Sequence, residues 1–329
     1  MDASKVCLND SQLLLSGSDL ESFIYGDLFP PICILGLVGN ALNMVVLTSS
    51  DFASRSNVLL ASLAVCDICF LLLIVPHSLA NFKFFAMDYN FRSFYYVSKI
   101  HLIGLANWTS AVAIWLMVLV CFERVLGVRR PLRFVAPQTP RTKLSLACVV
   151  IFALILTFYN HVAHRCLSTT FCNDTQIIAV CLDVASDKWP GNRPNESPEF
   201  LRKYVRWTRL ANAFLVITAK MQLLNQPNLP YVNGVFRRHS DQTPSAVILF
   251  GDAILPDRLL NSAYGYDVRT VASFLVVIGK SLNFVVFCLS SSSFRRRLIS
   301  TLRSKYRSRN PGFISSEKKL SQRKSVQSV

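Results

Sequence analysis

Between Asn107 and Arg133 the sequence NWTSAVAIWLMVLVCFERVLGVRRPLR holds an almost unbroken apolar run that stops at Glu123 and Arg124 and passes into a basic turn. About 20 apolar residues are what an α-helix needs to cross the hydrocarbon of a bilayer, and only helices or closed barrels satisfy their own backbone there. Such a run therefore leaves a chain few folds to choose from. An ionised Arg in hydrocarbon is costly unless it is paired or reaches the interface, so a carboxylate beside it at the end of a span reads as a held ion-pair latch. The plain alternative is an Arg that snorkels to water.

Similar runs occur at 29–48, 58–80, 97–128, 144–163 and 268–289. Only 16% of the chain is charged and 52% is hydrophobic, whereas a soluble domain carries about 25% charged residues. These features predict an all-α fold, a polytopic membrane helix bundle. The net charge of +16 sits beside the spans, as on cytoplasmic flanks, and no basic and aromatic interleaving on a soluble face supports nucleic acid as a partner. Asp2, Asp10, Asp19, Glu21 and Asp27 oppose Lys5 at the start, with no removable leader, so the first span directs insertion with the N-terminus outside. Three parts follow: an extracellular segment 1–28, a transmembrane bundle 29–293, and a cytoplasmic amphipathic helix with a basic tail, 294–329. In the last, Phe294, Leu298 and Leu302 recur at helical spacing among Arg and Lys, a face suited to membrane lipid.

The polar stretch from His164 to about Arg209 reads as a large outer loop. It contains glycosylation sequons at Asn173 and Asn195, and a third stands at Asn9. Asn107 also matches but lies inside a span. Cys7, Cys166, Cys172 and Cys181 fall in segments expected on the oxidising side, where disulfides persist; four cysteines allow three full pairings, and the choice stays open. Two weak apolar fragments, 210–224 with Lys220 and 244–255 with Asp252, fall short of a full span. Between them QPNLPYVNGVFRRHSDQ, with two prolines, is unfit for lipid-exposed helix.

Five features stand in order along the chain: Gly39-Asn40, LASLAVCD ending at Asp67, Glu123-Arg124, Pro131-Leu132, and SLNFVVFC at 281–288. Together they resemble the rhodopsin-like (class A) G protein-coupled receptors, strongly over 29–163 and 268–306. TPSAVILF at 243–250 and LNFVVFC at 282–288 look most like FMRFamide-type neuropeptide receptors and related orphan receptors. The resemblance implies a seven-transmembrane bundle whose fifth and sixth helices are incomplete here. It implies that Arg124, paired with Glu123, meets a heterotrimeric G protein, and that Asp67 with Asn40 and Asn283 forms a buried sodium-type site. Phe284 and Phe287 stand where the family shows Pro and Tyr. Lys280, one helical turn before Asn283, could reach Asp67, so that its ammonium replaces the mobile ion; a snorkelling Lys is the alternative. Lys99 occupies the position of the family's usual outer Cys, which makes that bridge doubtful.

The expectation is therefore a multi-pass plasma-membrane receptor for an extracellular neuropeptide or small neuromodulator, with coupling in doubt for this form. His77, Asn81, His101, Asn107 and Trp108 lie toward the outer halves of their helices and are the ligand-binding candidates by depth, against ordinary packing. The alternative is a truncated, non-signalling variant that dimerises with a full-length sibling. A transporter lacks paired broken helices or an internal repeat. No nucleophile–base pair, metal spacing or phosphate loop marks an enzyme, and no cofactor or metal is expected.

Overall fold

The computed structural model describes residues 6–48, 55–129, 140–189, 193–224, 263–290 and 292–309. Among the described residues the long helices are α1 (Asp19–Leu47), α2 (Arg55–Leu79), α3 (Tyr89–Arg129), α4 (Pro140–Thr157), α5 (Glu199–Leu224), α6 (Ala263–Ser290) and α7 (Ser292–Arg309). Among the described residues, five stretches are long and apolar enough to cross a membrane: Asp19–Leu47, Arg55–Leu79, Tyr89–Glu123, Thr142–His161 and Tyr264–Val285. Segment 244–255 and the proline-bearing linker before it lie outside the described residues.

Helix α1 begins ten residues before the expected span. Ser18 caps it, its Oγ accepting from the Glu21 amide at 3.2 Å. Pro30 and Pro31 have no amide to donate to carbonyls one turn back, and the helix runs into them through a π-helical stretch, Phe23–Leu28, in which the Phe29 amide donates to Ile24.

Helix α3 packs on α2 and α4, α2 on α1, and α1 on α6. Lipid is as apolar as Leu, so burial alone does not hold such helices together; close backbone approach and interhelical hydrogen bonds do. Gly36 and Gly39 supply the approach. A Cβ at Gly39 would lie 2.7 Å from Phe284 Cβ, and one at Gly36 would lie 2.5 Å from Ser281 Oγ. The same face of α1 buries Asn40 and Asn43, while Ile34, Leu35 and Val38 point outward where lipid would meet them. Two apolar clusters fill the interior, one around Phe29, Phe70, Leu71 and Val277, the other around Leu59, Leu63, Leu116 and Ala153.

The region expected to be loop carries structure. Strands β1 (His164–Phe171) and β2 (Gln176–Asp183) form an antiparallel hairpin with Cys166 opposite Cys181, so the fold is mostly rather than wholly helical. Its turn holds Cys172, Asn173 and Asp174 at φ of 52°, 54° and 63°, a conformation Asn and Asp tolerate best. A two-residue ladder pairs Lys188–Trp189 with Arg193–Pro194. Helix α5 starts at Glu199, eleven residues before the fragment expected at 210–224, and runs 26 residues. Its early half carries Arg202, Lys203, Arg206 and Arg209, which is why hydropathy missed it. Val205 packs there against Tyr159, Ala163 and Val184.

Candidate functional site

A cavity of about 240 Å³ lies between α2, α3 and α6. Each helix contributes a stripe at 3–4 residue spacing: Phe70, Leu73, Ile74 and His77 from α2; Tyr95, Lys99, Leu102, Ile103, Ala106, Asn107 and Ser110 from α3; Ser273, Val276 and Val277 from α6. Tyr25 of α1 completes the wall. The lining is mainly apolar, with Lys99 the formal cation in it. The Lys99 ammonium sits 5.4 Å from the centroid of the Tyr95 ring.

A buried polar chain runs along one side of the cavity. His77 Nδ1 lies 2.7 Å from the Tyr95 hydroxyl and His77 Nε2 lies 3.2 Å from Glu21 Oε1. Glu21 is only 3% exposed. Its Oε2 accepts from the Tyr266 hydroxyl and the Gly17 amide, both at 2.5 Å. With the His77 proton on Nε2, imidazole donates to Glu21 and accepts from Tyr95, and all three groups are satisfied. The Ser18 hydroxyl donates to Asp267 at 2.8 Å, a second link between the start of α1 and α6.

Above this end the chain is covalently stapled. Cys7 bridges Cys172 and Cys166 bridges Cys181, one of the three pairings left open. Leu8 and Gln176 exchange hydrogen bonds of 2.8 and 3.1 Å. Arg92, 2% exposed, ties three segments together. Its guanidinium donates to the Leu13 carbonyl, to Ala86 at 2.8 Å, and to Ile177 at 2.9 and 2.6 Å. At the foot of the hairpin Asp183 meets Arg209 at 3.1 and 3.3 Å and accepts from the Ala185 amide at 2.8 Å. Burial works against the Asp183 charge, but Arg209 and the amide outweigh it and hold the carboxyl below the ordinary aspartate value.

Deeper in the bundle, Lys280 Nζ lies 2.9 Å from Asp67 Oδ1, both side chains being wholly buried. Asn283 donates to the other carboxylate oxygen. The ammonium also stands 5.0 Å from the Phe70 ring centroid. Asn40 donates to the Lys280 carbonyl at 3.1 Å and to Gly36 at 3.0 Å. The four residues singled out from sequence thus converge. Asn43 and Ser281 are buried beside them with side-chain polar atoms that have no hydrogen-bond partner among the described residues.

Of the five ligand candidates, His77 and Asn107 line the cavity; the other three face elsewhere. The Trp108 indole donates to the Val150 carbonyl at 3.1 Å and packs between α3 and α4. His101 pairs with His161 at 3.2 Å, and the Asn81 amide folds back on the His77 carbonyl at 2.8 Å. Depth along a helix cannot distinguish its faces, which is why these three part from the other two. Glu123 is half-buried at the far end of α3; the Arg124 side chain lies outside the described residues. Asn9 is exposed, and Asn173 is exposed at the hairpin turn. Asn195 is engaged, its amide donating to Val184 at 3.0 Å and Ser186 at 2.5 Å while its oxygen accepts from the Ser197 amide. Sequence reading missed Glu21, Arg92, Tyr95 and Tyr266; an acidic residue in an acidic leader carries no sign that it is buried.

The family model for serpentine type 7TM GPCR chemoreceptors Srw matches residues 29–183. The chain is 35% identical to G-protein coupled receptor F59B2.13 of Caenorhabditis elegans, over 90% of this chain and 77% of the relative. That alignment runs over 333 residues, more than this chain contains, so the relative holds residues within the match that are missing here. The FMRFamide receptor of Drosophila melanogaster is 22% identical over 89% of this chain and 56% of its own length. The galanin-like G-protein coupled receptor npr-9 of Caenorhabditis elegans is 31% identical, over 39% of this chain and 28% of the relative. A multi-pass helical bundle with this order of motifs, matched along most of its length by such a relative, belongs to the G protein-coupled receptor family.

Proposed function

We propose that this chain is a rhodopsin-like receptor of the plasma membrane, its N-terminus outside, that senses an extracellular neuropeptide or small neuromodulator and signals to a heterotrimeric G protein. The observation that carries the reading is the cavity beneath the disulfide-stapled end. Glu123 lies 24 positions beyond Lys99 on the same helix, about 36 Å along a straight helix, which spans a bilayer. Glu123 and Arg124 then form the latch at the G protein end, and the FMRFamide and galanin-like relatives favour a peptide ligand. Asp67, Asn40 and Asn283 form the resting-state polar centre, in which the Lys280 ammonium takes the place of a mobile sodium ion. The test is nucleotide exchange on G proteins in membranes containing the full chain, challenged with FMRFamide-related and galanin peptides, each as the C-terminal amide and as the free acid. A peptide-stimulated signal that Arg124→Ala removes and sodium leaves unchanged is expected. Stimulation that persists in Arg124→Ala would reject the latch, and a sodium response like that of sodium-binding relatives would reject the tethered ion.

A second reading has its own support in the residues the Caenorhabditis elegans relative carries and this chain lacks. It is a non-signalling form that pairs with a full-length sibling and lowers its surface level. Surface labelling of the sibling, with and without this chain, decides it; an unchanged level disposes of the pairing.

A further inference from the structure

We propose that Lys99 seats the carboxylate of the ligand, with an aromatic or branched apolar body behind it between α2, α3 and α6. The inference rests on the reading of this cavity as the ligand site. Among the described residues, no carboxylate lies within ion-pair distance of the Lys99 ammonium; the Tyr95 ring is its neighbour. Glu21, the acid on that side, is committed to His77, Tyr266 and the Gly17 amide. His77 in turn is held by Glu21 and Tyr95. Glu21 acts on Lys99 only through space. An ammonium facing an apolar cavity with no carboxylate in contact is unfavourable, so an anion entering the cavity relieves that cost as it binds.

The remaining wall sets the rest of the ligand. Phe70, Ile74, Ile103 and Val276 offer apolar surface, and Ser110 and Ser273 bring hydroxyl groups. At about 240 Å³ the cavity falls below the usual range for drug-sized ligands, roughly 300–1,000 Å³, so it takes a small acid or one terminal side chain rather than a folded peptide. One Lys, with no Arg fork in the lining, suits a single negative charge better than a phosphate dianion. A cationic group would meet the ammonium directly and be disfavoured. The carboxylate has two sources: a free organic acid, or the unamidated C-terminal residue of a peptide.

Calorimetric titration of the full chain in lipid nanodiscs at neutral pH tests this with 4-phenylbutanoate, its neutral amide and the matching amine, and with acetyl-Leu-Phe as free acid and as amide. The acids should bind at least tenfold more tightly than their amides, and the amine not at all. Lys99→Met should erase the preference and Lys99→Arg should keep it. Tighter binding of 4-phenylbutanoate than of the dipeptide acid identifies a free acid as the ligand, and the reverse identifies a peptide terminus. Equal binding of acid and amide, acid binding that survives Lys99→Met, or no acid binding to folded protein would overturn the proposal. The readout needs no G protein: acid binding without nucleotide exchange sinks the signalling reading alone, and exchange driven by neutral or amidated ligands with no acid preference sinks this inference alone.

Discussion

Lys280 and Asp67 lose their hydration together, and each is tolerable only because the other is present. Removing one partner of a buried pair leaves an uncompensated charge, at a cost of about 3–5 kcal/mol, whereas removing both can be neutral. Lys280→Met should therefore lower the thermal midpoint of detergent-solubilised protein, and Asp67→Asn with Lys280→Met should recover most of the loss. A double variant as unstable as the single one would show that the pair does not act as a unit. This centre was legible in the sequence, because charges within apolar runs need partners and one helical turn separates Lys280 from Asn283. The cavity was not, because Tyr95 and Lys99 look like ordinary interfacial residues until their neighbours on α2 and α6 are known. Sequons behave similarly: Asn173 is exposed at a turn while the Asn195 amide is spent on Val184 and Ser186. Glycan mapping of protein inserted into the membranes of a eukaryotic expression system should find Asn173 occupied and Asn195 bare.

The hairpin, the segment before α1 that holds Leu13, and the turn before α3 form one element-scale unit, with Arg92 as the common fastener. Arg92→Met would leave the buried carbonyls of Leu13 and Ala86 and the half-buried carbonyl of Ile177 without that donor, at a cost of about 1–3 kcal/mol for each group left buried and unsatisfied. Faster hydrogen exchange in β2 and Lys83–Met87, with α2 unchanged, is the expected result. The Asp183 carboxyl lies below its ordinary value of 3.8 in the folded state, so the unfolded state binds more protons in acid. Its contribution is complete above about pH 4 and is lost as pH falls through the lower folded value. Exchange at the base of β2 should accelerate in that acid window in the parent, and Asp183→Asn should show the faster exchange already at pH 7. The hairpin was hidden from sequence reading by its polar flanks, although the β-branched Ile177, Ile178 and Val180 after the Asn173-Asp174 turn carried the signal. Helix α5 was hidden because half of it is basic and earns its place by packing Val205 rather than by hydropathy.

At the scale of the whole molecule, the bridge between Cys7 and Cys172 encloses four of the candidate spans, from Asp19–Leu47 to Thr142–His161. An even number of crossings returns the chain to the side from which it set out, so the two sulfurs can meet only if an even number of the four insert. The bridge thus excludes a chain in which any single one of these spans has failed to cross. It also imposes a schedule: the 165 residues of separation take on the order of ten to thirty seconds to synthesise at ribosomal rates. Throughout that interval Cys7 remains an open thiol, available to any other thiol within reach.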